Sequence, residues 1–94
     1  MKVQVKFFTS LREITGKKTE EIQLENSTTV KQLVTLLSEK HGKNFNEYIY
    51  NKIGHVQEFL SFLVNGQNIN NLEGFDTTLK DGDIVAILPP VGGG

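Results

Sequence analysis

One stretch, TVKQLVTLLSEKHG over residues 29–42, constrains the fold more tightly than any other part of the chain. Val30, Leu33, Val34 and Leu37 recur at helical spacing and make a single apolar stripe on an otherwise polar helix. Thr29 and Gln32 have the spacing of a capping box, which satisfies orphan N–H groups at a helix start. Lys40 and His41 fall in the last turn, where cations suit the helix dipole, and Gly42 is placed as a left-handed stop. A helix with one apolar stripe needs one apolar surface to lie on. The 94 residues allow a single core.

That surface is expected to be a sheet. VQVKFF alternates, with Val3, Val5 and Phe7 on one face and Gln4, Lys6 and Phe8 on the other. SLREITGKK breaks the alternation as a turn with a short helical piece, and EEIQLE resumes it with Ile22 and Leu24 inward. These two strands form a hairpin with a long loop. Phe45, Tyr48 and Ile49 have the spacing of a short second helix that ends near Asn51–Gly54. FLSFLVNG is a strand closed by a turn at NGQN, with a short edge strand near Gln67–Ile69. INNLEGFDTTLKDGD is loop, with Ile69, Leu72, Phe75 and Leu79 tucked under, and IVAIL is the final strand. One main helix with four or five strands gives an α+β domain, a sheet carrying the helix on one face. The last strand is nonetheless apolar on both sides, with Val85 and Ile87 on one and Ile84, Ala86 and Leu88 on the other. The surplus, with Phe8, is either shielded by loops or exposed as an interaction patch.

Composition removes several function classes. Ten basic residues stand against eleven acidic ones, and the cations are nine scattered lysines and Arg12. Phosphate neutralisation of a nucleic acid is therefore not expected. The chain has no cysteine, which excludes disulfides, a zinc–cysteine site and a cysteine nucleophile. IVAIL is too short to cross a bilayer and the N-terminus lacks a signal-peptide pattern, so a cytoplasmic location and no membrane partner are expected. No catalytic constellation emerges. His41 is explained as a helix-end cation, His55 as a loop residue, and Asp81–Asp83 as a tight turn that lacks the remaining calcium ligands. Arg12 is a solvated or locally paired arginine, or else a carboxylate or phosphate clamp. No bound metal or cofactor is expected.

The sequence finishes ILPPVGGG. Pro89 and Pro90 lock φ, whereas glycine loses the most backbone freedom on ordering. A stiff pair before a side-chain-free end fits a finger that enters a narrow site; it also fits a frayed terminus or a cloning remnant. FLVNGQNI followed by LEGFDTTLKDGDIVAILPPVGGG resembles the C-terminal half of the MoaD/ThiS sulfur-carrier family, and VKFFTSLREITG resembles its opening strand and turn. With the helix between them, the resemblance covers nearly the whole chain. It implies a ubiquitin-like β-grasp domain over residues 1–88 and a flexible tail over 89–94.

The resemblance also implies a mechanism. Family members have the terminal glycine adenylated by an ATP-using, ubiquitin-activating-type enzyme; sulfur then replaces AMP to give a thiocarboxylate. Here that glycine is Gly94. Val91, Gly92 and Gly93 would thread into the partner, and Pro89 and Pro90 would hold the base of the tail extended. Independently of the resemblance, the two-sided apolar last strand makes Phe8, Ile84 and Leu88 the expected partner interface. The implied acceptor is the large subunit of molybdopterin synthase or another sulfur acceptor, with this chain acting as the small subunit or protein co-substrate. Relatives that are protein modifiers join the same glycine to target lysines or serve tRNA thiolation. Activation is shared, so the tail does not separate the two. Two departures stand out. Residue 92 is Gly where many relatives carry Ala or Ser, and the segment from Lys43 to Phe59 is longer than in minimal thiamine carriers.

Overall fold

The computed structural model describes residues 1–90. Its elements run β1 (Lys2–Phe7), α1 (Ser10–Thr15), β2 (Thr19–Gln23), α2 (Val30–His41), α3 (Lys43–Ile49), β3 (Ser61–Val64), β4 (Gln67–Asn68) and β5 (Ile84–Leu88). The five strands make one mixed sheet in the order β2-β1-β5-β3-β4. β1 and β5 are parallel, with Val5 opposite Val85 and Phe7 opposite Ile87; the other pairings are antiparallel. This is the α+β architecture expected from the alternation and the single strong helix.

The core is one-sided. Val3, Val5 and Phe7 from β1, Ile22 from β2, Phe62 and Val64 from β3, and Val85 and Ile87 from β5 are all buried against the helical layer. Val30, Leu33, Val34 and Leu37 of α2 meet them from the other side. The capping box at Thr29 is formed in both directions: the Thr29 hydroxyl accepts from the Gln32 amide at 3.3 Å, and Gln32 Oε1 accepts from the Thr29 amide at 2.9 Å. α3 adds Phe45 and Ile49 to the same core.

Several details differ from the sequence reading. Gly42 does end α2, but at φ 83 and ψ −155 it lies outside the left-handed helical region. It serves the start of α3 as well, donating to Ser38 O and accepting from Asn46 N, and a side chain resists this combination of angles. Leu72 is exposed rather than tucked under, because the loop closes in two short 3-10 turns at Ile69–Asn71 and Gly74–Asp76 that bury Ile69 and leave Leu72 outside. The NGQN turn forms as expected. Asn65 and Gly66 have φ of 52 and 82, the paired positive values of a tight two-residue hairpin turn whose twist suits the strands.

His41 is more than a helix-end cation. Its Nε2 lies 2.7 Å from Glu20 Oε1, and its ring sits beside Phe7 and Phe45 at centroid distances of 6.0 and 5.5 Å. Glu20 is on β2 with its side chain turned into the helical layer, at a position where the alternation would place an apolar residue. Lys40 also pairs with it, and Lys17 approaches to 3.5 Å. Burial opposes ionisation of this carboxyl. Hydrogen bonds and charge from Lys40 and His41 outweigh burial and hold its pKa below the ordinary value. The cluster ties the C-terminal end of α2 to β2.

A carboxyl whose pKa is depressed on folding stabilises the fold above its unfolded pKa, and that contribution is lost as pH falls through the folded value. Glu20→Gln is therefore expected to lose about 1.5–3 kcal/mol near neutral pH, the range for hydrogen bonds to charged groups. The gap from wild type should narrow below about pH 4.5, where the unfolded carboxyl protonates. Urea titrations of both proteins from acid to neutral pH measure that gap. A gap independent of pH would contradict the role given to Glu20.

Candidate functional site: the C-terminal end of the central strand

β5 occupies the middle of the sheet, paired with β1 on one side and β3 on the other. Its five residues alternate strictly: Val85 and Ile87 are buried, whereas Ile84, Ala86 and Leu88 are partly exposed on the face away from α2. The register fixes their neighbours. Ile84 lies opposite Gln4, Ala86 lies between Lys6 and Leu63, and Leu88 lies opposite Ser61. The uncovered face thus has an apolar centre of Leu63, Ile84, Ala86 and Leu88, with Gln4 and Lys6 along the β1 side. The sequence alone did not fix which side Ile84 and Leu88 occupy. The parallel pairing with β1 does so, because Val85 and Ile87 share the face of Val5 and Phe7.

Phe8 lies one residue beyond the end of β1, just as Leu88 follows Ile87 in the paired strand. It is half-buried, and the Arg12 guanidinium lies 5.3 Å from its ring centre. Arg12 also donates from Nε to the Phe7 carbonyl at 3.0 Å. It is engaged locally, as a brace for the turn after β1. The other end of β5 is held by side-chain to main-chain bonds. Asp83 accepts from the Lys80 amide and from Asn65 Nδ2, Asn65 Oδ1 accepts from the Ile84 amide, and Asp81 accepts from the Lys2 amide. These bonds give the DGD motif its turn role and fix where β5 begins.

Beyond Leu88 the chain passes directly into Pro89 and Pro90, both half-buried. The last core residue is Ile87, so everything the core requires is in place before the prolines. Val91, Gly92, Gly93 and Gly94 lie outside the described residues, and so does the expected flexibility of the tail. Among the described residues, no group of three or more His, Asp or Glu side chains is placed to hold a metal ion, and no helix is long and apolar enough to cross a membrane.

The ThiS family profile matches residues 5–94. The chain belongs to the ThiS family. It is 44% identical over 66 residues to an Archaeoglobus fulgidus protein provisionally named a sulfur carrier, covering 70% of this chain and 74% of that one. It is 31% identical over 94 residues to small archaeal modifier protein 3 of Haloferax volcanii, an alignment that spans both chains completely. Among solved structures, small archaeal modifier protein 1 of Methanosarcina acetivorans superposes with a TM-score of 0.82 at 36% identity, covering 99% of this chain and 96% of that one. A Pyrococcus furiosus protein provisionally named molybdopterin converting factor subunit 1 gives 0.76 at 32% identity, with 96% and 98% covered. The fold is the ubiquitin-like β-grasp, and the family is one of sulfur carriers and ubiquitin-like modifiers.

The face assignment predicts opposite fates for neighbouring substitutions. Leu88→Asp should cost no more than about 1 kcal/mol, a strand-propensity effect at a half-exposed position. Ile87→Asp buries an unpaired charge and should abolish or nearly abolish folding, a loss above about 4 kcal/mol. Denaturant midpoints of the two variants test this. Equal losses would mean that both faces of β5 are covered.

Proposed function

We propose that this chain is a sulfur carrier whose reactive group is the C-terminal carboxylate of Gly94, acting as the small subunit of molybdopterin synthase. The observation that carries the reading is the exit of the central strand. β5 leaves the core at Ile87 and runs straight into Pro89–Pro90, and the family match continues to residue 94. The Pyrococcus likeness favours the molybdopterin assignment.

The chemistry follows from the weakness of a carboxylate as an electrophile. An activating enzyme of the ubiquitin-activating type couples the Gly94 carboxylate to ATP, releasing pyrophosphate and leaving an acyl-adenylate. Hydrosulfide then displaces AMP to leave a thiocarboxylate, whose sulfur bonds to the acceptor held by the large synthase subunit; water cleaves the remaining acyl C–S bond, supplying the oxygen while the sulfur stays on the acceptor. The terminus returns to a carboxylate. Residues without side chains at 92–94 pass through a narrow channel where a Cβ would clash. Four residues from Val91 reach about 14 Å when extended. Phe8, Ile84 and Leu88, with Leu63 and Ala86 beside them, form the docking face for the activating enzyme and the synthase subunit. ATP belongs to the activating enzyme. The carrier acts in the cytoplasm as a protein co-substrate.

Deleting Gly94, or adding one residue after it, should leave the thermal midpoint nearly unchanged and abolish adenylation by the cognate activating enzyme. Activation of the truncated protein would overturn the mechanism. Leu88→Asp should weaken docking by about 2 kcal/mol or more, as the loss of an interface anchor does. Unchanged affinity in calorimetry would move the interface elsewhere.

The two modifier likenesses favour a second reading, in which the activated Gly94 is joined to target lysines. An acyl-adenylate accepts a sulfur or an amine nucleophile according to which one a partner positions. Tagged protein purified from its native cell under denaturing conditions and digested separates the cases. The carrier reading expects no Gly-Gly remnant on lysines, and branched peptides on many proteins would contradict it.

A further inference from the structure

We propose that the free edge of β2, together with the adjoining row of α2 side chains, is a docking groove for an extended acidic segment of another protein, separate from the tail and from the uncovered sheet face. β2 is an edge strand. Its bonds to β1 alternate, and the ends of the ladder fix their phase: Phe7 donates to Lys18 O, Leu24 donates to Met1 O, and the Met1 amino group donates to Leu24 O. Residues 18, 20, 22 and 24 therefore point their main-chain groups at β1. Thr19, Glu21 and Gln23 point theirs outward. All three are exposed, and their main-chain amides donate to no partner among the described residues.

A row of α2 runs beside this edge in the opposite direction. Gln32 and Leu36 line a cleft with Gln23 and Leu24, and Lys40 pairs with Glu20. The row thus offers an amide, a partly exposed leucine and a lysine in succession. Residues four apart on a helix rise about 6 Å, and alternate residues of a strand about 6.7 Å, so an added strand would set successive inward side chains over successive members of the row. The charge at one end selects the occupant. Lys40 and Lys17, both about half exposed at 48% and 49%, face the single Glu20 carboxylate, and His41 faces it too. That end of the groove carries an excess of ammonium over carboxylate. An incoming strand with an apolar side chain over Leu36 and a carboxylate two residues along, over Lys40 and Lys17, satisfies both the main-chain edge and the charge. A second copy of this chain fits less well. Antiparallel pairing of two β2 edges about Glu21 would set the two Glu21 carboxylates against each other.

The test uses the isotope-labelled full chain and a synthetic peptide whose alternate positions read valine, valine, aspartate, aspartate, separated by threonines. Amide shifts are expected at Thr19, Glu21, Gln23, Leu36 and Lys40. A matched peptide with lysine for aspartate should bind about fivefold more weakly or worse, since charge complementarity selects partners. Glu21→Pro removes an outward N–H without touching the ladder to β1 and should abolish binding, while Glu21→Gln retains it. If Glu21→Pro does not fold, the comparison of the two peptides on the wild-type chain remains decisive. Absence of shifts up to about 1 mM peptide, where even weak association registers, would overturn the proposal. So would equal binding of the two peptides, shifts confined to Leu63, Ala86 and Leu88, or self-association through β2 without peptide.

Discussion

β5 lies at the centre of the sheet, hydrogen-bonded on both edges, with Val85 and Ile87 buried beneath α2. The rest of the structure depends on that one-sided packing. The helical layer of α2, with Phe45 and Ile49 of α3 and Leu11 of α1, packs on one face of the five-stranded sheet. The apolar positions of β1, β3 and β5 are therefore in phase on that face. The opposite positions of the same central strand remain apolar and partly open. The strand that completes the core thus also carries the strongest candidate for a partner surface and delivers the chain to its last residues. Under the proposed function, fold and activity would share one element, divided between its two faces and its end.

Much of this was legible in the sequence. The stripe Val30–Leu33–Val34–Leu37, the alternation in β1 and the Asn65–Gly66 turn each express a local rule, and each stands where the rule put it. The two-sided apolar character of IVAIL was visible, but the choice of face was not, because it is set by the register with β1 across nearly the whole length of the chain. Glu20 was missed for the same reason. A charged residue in EEIQLE reads as solvent-facing until Lys40 and His41, distant in sequence, arrive beside it. A weak signal existed: strict alternation from Ile22 and Leu24 already pointed Glu20 inward. Leu72 shows the converse, an apolar residue in a loop with no periodicity to say which way it turns.

The Glu20 cluster gives the molecule a second organising feature. It fastens the end of α2, and through Gly42 the start of α3, to an edge strand that has a partner on one side only. Without such a fastening, the helical layer would meet β2 mainly through Ile22 and Leu24. The same lysines leave positive charge beside an open main-chain edge. The uncovered face of β5 and the outer edge of β2 lie on different sides of the sheet, so a partner at the edge need not compete with one that receives the tail.

In the proposed mechanism the domain is a support and the chemistry occurs at Gly94. Intact-mass spectrometry of the protein isolated from its native cell, with fragmentation from the C-terminal end, tests it most directly. The proposed mechanism predicts a population in which one oxygen is replaced by sulfur, with the change confined to the fragment that ends at Gly94. Finding only the unmodified carboxylate under conditions of active sulfur transfer, or finding the sulfur on any other residue, would contradict it.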